Sequence, residues 1–164
     1  MFKQYLKVQD GKLGKSLYSL VRIPAETSII ELTGPILSDK ELPTDKDHFE
    51  YLQIGVNTFL GPSGDVGDAI NHHCDPNCKL HIVGNRAILF SLYVIPAGAE
   101  LTIDYSATST DTTDIWQMDC KCGHNKCRKV ISGHHYLSPE TKEKYIGKNM
   151  LPLYIMRPEL IKKR

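Results

Sequence analysis

Two short runs hold the densest reactive chemistry in this chain: Asn71-His72-His73-Cys74-Asp75-Pro76-Asn77-Cys78 and, beginning 42 residues after Cys78, Cys120-Lys121-Cys122-Gly123-His124-Asn125-Lys126-Cys127. Cysteines at C-x-C and C-x4-C spacing suit thiolate ligation of zinc, and a closed shell of four sulfurs leaves no open position for catalysis. Four of the five cysteines fit one metal site assembled from distant parts of the sequence. Such a site clamps the tail against the Asn71–Cys78 run, and a clamp of that kind usually closes an active site. The competing reading makes Cys120, Cys122 and Cys127 a separate small metal or redox motif.

The start, MFKQYLKVQDGK, lacks the apolar core of a signal peptide, so an intracellular protein with reduced thiols is expected. An odd cysteine count also fits disulfides poorly. With 164 residues, 41% of them hydrophobic and 24% charged, the chain is the size of one domain, and it has no apolar run long enough for a membrane span. The net charge of +1 gives no global field for nucleic acid. The charge is unevenly placed, however: Asp39 to Asp68 carries a balance of −5, and Cys120 to the end a balance of +8. The two halves therefore present opposite faces to a partner.

These residues must be positioned by short strands. Segments of β-branched or alternating character recur at Tyr5–Val8, Leu17–Val21, Ile29–Leu32, Tyr51–Ile54, Leu80–Val83, Ala87–Val94 and Leu101–Ile103. Turn signals separate them, among them Asp10-Gly11, Gly61-Pro62-Ser63-Gly64 and Gly84-Asn85. A mostly β domain is expected, with a short helix around Asp68–His72. A second helix starts at Ser138-Pro139-Glu140 and stops at Gly147. Ser109–Asp114 reads as a linker.

Taken together, the segments resemble the SET-domain protein lysine methyltransferases. Asn71–Cys78 is similar to the family's N-H-S-C-x-P-N segment, Ala97–Ser106 (AGAELTIDYS) to G-E-E-L-T-x-D-Y, and Cys120–Lys129 (CKCGHNKCRK) to the post-SET C-x-C-G-x3-C-R-G. Gly14-Lys15-Ser16-Leu17-Tyr18-Ser19 resembles the stretch whose backbone lies along S-adenosylmethionine. Ser16 and Glu26 stand where the family usually has glycine, and His73 where it has serine.

The resemblance implies a fold of several small sheets with knot-like C-terminal threading. It divides the chain into a SET domain over 1–108 with a variable insertion at about 35–66, a post-SET zinc segment over 109–133 and an extension over 134–164. It further implies S-adenosylmethionine as cofactor, contacted by Gly14, Lys15, Ser16, Asn71, His72 and Tyr105, with Trp116 against the adenine or anchoring the linker. Tyr105 is the implied catalytic tyrosine. Cys74, Cys120, Cys122 and Cys127 are the implied ligands of one structural zinc ion, leaving Cys78 as a buried spare thiol. Leu80 and Ile103 are placed at the lysine channel, and Ile103 stands where a tyrosine tends to restrict the product to monomethyl-lysine, so room for a second and third methyl is expected.

The implied partner is a lysine-bearing protein or peptide, in a basic context to suit the acidic insertion. Compact SET proteins of this kind resemble those of bacteria and viruses. A catalytically inactive cofactor- or peptide-binding module and a zinc-ribbon nucleic-acid binder are the alternatives; retention of Asn71 and Tyr105 argues against the first, and the lack of interleaved aromatic and basic residues against the second.

Overall fold

The computed structural model describes residues 1–43, 50–110 and 117–160. The strands in chain order are β1 (Leu6–Gly11), β2 (Gly14–Ser19), β3 (Ser28–Leu32), β4 (Ile36–Ser38), β5 (Leu52–Gly55), β6 (Thr58–Leu60), β7 (Asn71–His72), β8 (Cys78–Val83), β9 (Arg86–Ser91), β10 (Thr102–Ile103), β11 (Met118–Asp119) and β12 (Val130–Ile131). They form five small sheets: β1-β2, β10-β7, β11-β12, β3-β9-β8 and β4-β6-β5. Two helices follow, α1 (Pro139–Gly147) and α2 (Leu153–Met156). No helix among the described residues is long and apolar enough to cross a membrane.

Local chemistry explains the main elements. Across the β8–β9 hairpin, inward residues alternate with a period of two, so Cys78, Leu80, Ala87, Leu89 and Ser91 are all buried. Gly84, at φ 58°, opens the two-residue turn between Val83 and Arg86. Leu17, Ile23, Ile29, Leu89, Ile95 and Leu101 form the dry centre of the main core. A second cluster joins Leu92 and Ala107 to Leu137, Tyr145, Met150 and Leu151, so the extension packs on the domain through its own apolar face.

Helix α1 begins where Ser138 and Pro139 predict: the Ser138 hydroxyl accepts the Thr141 N–H at 3.2 Å. The helix expected at Asp68–His72 is replaced by a 3-10 turn over Val66–Ala69, started by Asp65, whose carboxylate accepts the Val66 N–H. Asn71 and His72 are then recruited by strand pairing. The first hairpin turns at Lys12-Leu13, two residues beyond the expected Asp10-Gly11, because Gly14 takes φ 103° and closes the loop on Gly11. Residues 36–60 hold a sheet of their own, β4-β6-β5. Trp116 and most of the Ser109–Asp114 linker lie outside the described residues.

Candidate active site

The centre of the site is a two-residue parallel pairing: Thr102 aligns with Asn71 and Ile103 with His72. Parallel neighbours need a long crossover, and the whole β8–β9 hairpin occupies it. The His73 N–H extends the pairing to the Ile103 carbonyl at 2.8 Å. Asn77 locks the same segment from its other end, donating to the Glu100 carbonyl at 2.7 Å and accepting the Thr102 N–H at 2.9 Å. The two motif runs are thereby held side by side.

The Asn71 amide nitrogen donates towards the Lys15 carbonyl at 3.0 Å, the Ser16 hydroxyl at 2.8 Å and the Glu100 carboxylate at 3.0 Å. Asn71 thus ties the β1–β2 hairpin to the pairing. Ser16 fits in place of glycine because Gly11 faces it: a Cβ on Gly11 would come within 2.2 Å of the Ser16 hydroxyl oxygen. Beyond Gly14, no atom lies within 4 Å of where a side chain would begin, so the hairpin tip is open. Lys12 at that tip reaches the cysteine-bearing loop, its Nζ 3.0 Å from where a Cβ on Gly123 would stand.

Tyr105 follows β10 in a 3-10 turn over Tyr105–Ala107. Its hydroxyl donates to the Ile70 carbonyl at 2.7 Å, its ring meets His72 edge-on at 5.4 Å, and its N–H donates to His72 Nδ1 at 3.2 Å. Burial, reinforced by the nearby Glu100 charge, pushes the Tyr105 phenol up to about 12, so it remains a proton donor at neutral pH. Burial lowers His72 to about 4 against the opposing pull of Asp104. Neutral His72 therefore accepts at Nδ1 and carries its proton on Nε2, 3.4 Å from the Cys74 sulfur.

The ligand atoms of Cys74, Cys120, Cys122 and Cys127 all lie within 4.8 Å of one another, with Cys74 and Cys120 sulfurs 3.6 Å apart. A tetrahedral zinc–thiolate shell separates its sulfurs by about 3.8 Å, so the cluster fits zinc. Backbone N–H groups of Arg128 and Lys129 point at the sulfurs of Cys74 and Cys127, each at 3.4 Å, as thiolate acceptors require. Burial pushes the Cys74 thiol up to about 11, which a divalent cation among the sulfurs would reverse. Cys78 stands apart in β8, fully buried, its thiol pushed up to about 12. His73, in the usual serine position, turns outward: Nδ1 sits 2.7 Å from the Asp75 carbonyl and the ring meets His124 at 5.3 Å.

Leu80 and Ile103 line one small cavity together with Cys78, Ala107, Thr108 and Met150. Tyr145 and Met150 are among the apolar residues after Gly133 that the sequence leads one to expect packed back on the domain, but it assigns them no role in the site; Asp104 and Arg128, which with Tyr145 form a buried polar group beside Tyr105, were not singled out. Asp104 and Arg128 sit inside the motifs, so their positions were visible, but their pairing across 24 residues was not. Tyr145 and Met150 had no signal beyond an apolar extension. Glu26 and Lys129, both at glycine positions of the resemblance, keep the left-handed backbone, with φ 52° and 68°. Glu26 is held by Lys79 at 2.7 Å.

The sequence profile of the SET domain family matches residues 14–106. Histone-lysine N-methyltransferase ASHH2 of Arabidopsis thaliana is 27% identical over 146 residues, covering 80% of this chain and 8% of that protein. Histone-lysine N-methyltransferase trithorax of Drosophila virilis is 31% identical over 147 residues, covering 80% and 4%. The probable histone-lysine N-methyltransferase set-23 of Caenorhabditis briggsae is 35% identical over 151 residues, covering 79% and 61%. The chain thus spans less than a tenth of the first two relatives. Among solved structures, KRYPTONITE in complex with mCHG DNA and SAH superposes with a TM-score of 0.64 at 25% identity, over 77% of this chain and 29% of that one. SUVH6 of Arabidopsis thaliana in complex with SAM superposes with a TM-score of 0.62 at 23% identity, over 77% and 33%, a likeness in fold. The chain belongs to the SET domain family.

Proposed function

We propose that this chain is an S-adenosylmethionine-dependent protein lysine N-methyltransferase with Tyr105 as its catalytic residue. The observation that carries this reading is the β7–β10 pairing, which sets Asn71 and His72 beside the segment ending in Tyr105 within the SET match. Gly14, Lys15, Ser16, Asn71 and His72 would hold the cofactor, and Trp116, outside the described residues, belongs to the same proposal on sequence alone. Cys74, Cys120, Cys122 and Cys127 would hold structural zinc. When bound, S-adenosylmethionine supplies a methyl group on a sulfonium, open to in-line displacement by an amine.

The chain's own residues then align and desolvate. A lysine amine with a pKa near 10.4 is neutral about once in 2,500 at pH 7. Leu80, Ile103 and Met150 give the cavity apolar walls, and Asp104, which lines it together with Lys79, is already paired with Arg128, so the charged form of the amine is disfavoured there. The Tyr105 hydroxyl orients the neutral amine, and no dedicated base is required. With the Tyr105 phenol near 12, a rate that rises between pH 7 and 10 reports the substrate lysine. Tyr105→Phe is expected to lower kcat by about a hundredfold with the fold intact; full activity in that variant would remove Tyr105 from the reaction.

Ile103 leaves room for di- and trimethyl product, and mass spectrometry that finds only monomethyl-lysine at long times refutes this. The relatives named above are histone-lysine methyltransferases, and we extend that class to this chain as a lysine in a basic peptide, facing the acidic insertion. Asp65 and Asp68 in that stretch are engaged locally, by Lys3 and by the Ser63 and Gly64 N–H groups. Asp39 and Glu41 also accept local hydrogen bonds, from the Lys40 N–H and from Ser38, and Asp45 and Asp47 lie outside the described residues. The preference rests on the summed negative charge of the stretch, and a peptide array with no bias towards neighbouring Lys or Arg contradicts it.

A further inference from the structure

Asp104 lies between Ile103 and Tyr105 with its side chain fully buried. An isolated buried carboxylate is costly unless its acceptor positions, about four, are filled. Arg128 fills two, Nη1 to Oδ2 at 2.7 Å and Nη2 to Oδ1 at 2.8 Å. The Ser106 N–H fills a third at 3.0 Å. The fourth donor is the Tyr145 hydroxyl, which binds Oδ2.

Tyr145 is 1% exposed and stands on α1, in the extension beyond the cysteine segment. Without its hydroxyl, Oδ2 retains Arg128 as its one partner, and the carboxylate is held at three points, by Arg128 and the Ser106 N–H, instead of four. Oδ1 lies 3.4 Å from His72 Nδ1, the atom that accepts the Tyr105 N–H. Oδ1 thus sits against the atom that fixes the Tyr105 N–H, and a loosened Asp104 changes that contact and with it the backbone bond that sets Tyr105. The same extension braces the far end of that turn, where the Tyr154 hydroxyl meets the carbonyls of Thr108 at 2.7 Å and Gln53 at 2.8 Å.

We propose that Tyr145 is a positioning residue for the reaction: its hydroxyl fixes the Asp104 carboxylate and, through it, the Tyr105 backbone, so the C-terminal extension completes the active site. The kinetic part rests on the methyltransferase reading above. The test compares the full, zinc-loaded chain with Tyr145→Phe, which removes only the hydroxyl, and Leu151→Ala, which loosens the same extension without touching Asp104. Tyr145→Phe is expected to lower kcat by about tenfold, the scale of one hydrogen bond to a charged group, with KM for S-adenosylmethionine unchanged. Leu151→Ala should lower Tm at least as much and leave kcat within about twofold. Wild-type kcat in Tyr145→Phe, or an equal loss in Leu151→Ala, overturns the proposal. Amide hydrogen exchange at Tyr105, read without substrate, keeps the two readings apart. Tyr145→Phe should speed it by about tenfold and Leu151→Ala should not, whether or not the wild type transfers methyl groups. Equal exchange in Tyr145→Phe and the wild type defeats the positioning role by itself.

Discussion

Two clamps fasten later segments of the chain onto the paired runs at the site, one at Cys74 and one at Asp104 beside Tyr105, and they differ in what they require. The sulfur clamp joins Cys74 to Cys120, Cys122 and Cys127 and is built for an ion. The carboxylate clamp joins Asp104 to Arg128, Ser106 and Tyr145 and uses only the protein's own groups. Cys127 and Arg128 are adjacent, so one short segment serves both. The first clamp can be opened from solution by removing its ion, whereas the second can be opened only by changing the chain. Their separate loss should therefore dissect what holds the cofactor side from what sets Tyr105.

The largest effect is expected from the sulfur clamp. Chelation, or Cys74→Ser, should release the β11–β12 segment and cut methyl transfer by at least about a hundredfold, because structural zinc sites carry much of the folding energy of the segments they close. The strand signature in circular dichroism should largely survive, since the main core around Leu17, Ile29 and Leu89 does not touch the sulfurs. Undiminished activity in the chelated protein would show that the clamp does not wall the site.

A smaller effect is expected from the carboxylate clamp. Asp104→Asn leaves the partly buried Arg128 guanidinium without its counter-charge and should cost about 3 kcal/mol in urea unfolding. Adding Arg128→Met should recover part of that loss, since the two changes share one interaction. Strict additivity would mean that the pair is not coupled.

How much of this was legible beforehand follows the same division. Adjacent residues at fixed spacing reveal motifs, so the NHHCDPNC, ELTIDY and cysteine runs could be read directly, as could the Ser138-Pro139 start of α1. What depends on partners far away in the chain could not. Asn71-His72 reads locally as the end of a short helix and becomes a strand only because Thr102-Ile103 pairs with it. The short strands β4, β6, β11 and β12 are too brief to show alternation. Tyr145 looks like any apolar helix residue until its hydroxyl is seen at Asp104.

The smallest predicted effect concerns a position the motif made visible. Lys129 holds φ 68°, which costs an L-residue roughly 1 kcal/mol, and it is exposed. After the entropy that glycine restores to the unfolded chain, Lys129→Gly should stabilise the protein by about 0.5 kcal/mol, visible as a rise in urea midpoint at constant slope. Destabilisation would mean that Lys129 makes a favourable interaction on the cysteine segment.

The central claim is methyl transfer to a lysine amine, and the direct measurement is transfer of labelled methyl from S-adenosylmethionine to a basic histone-tail peptide by the zinc-loaded chain. The account predicts label on one lysine of that peptide, lost when that lysine is replaced by arginine and reduced about a hundredfold in Tyr105→Phe. Cofactor binding by a folded, zinc-loaded chain that labels no lysine, in that peptide or in whole-cell lysate, would contradict it and leave a binding module in its place.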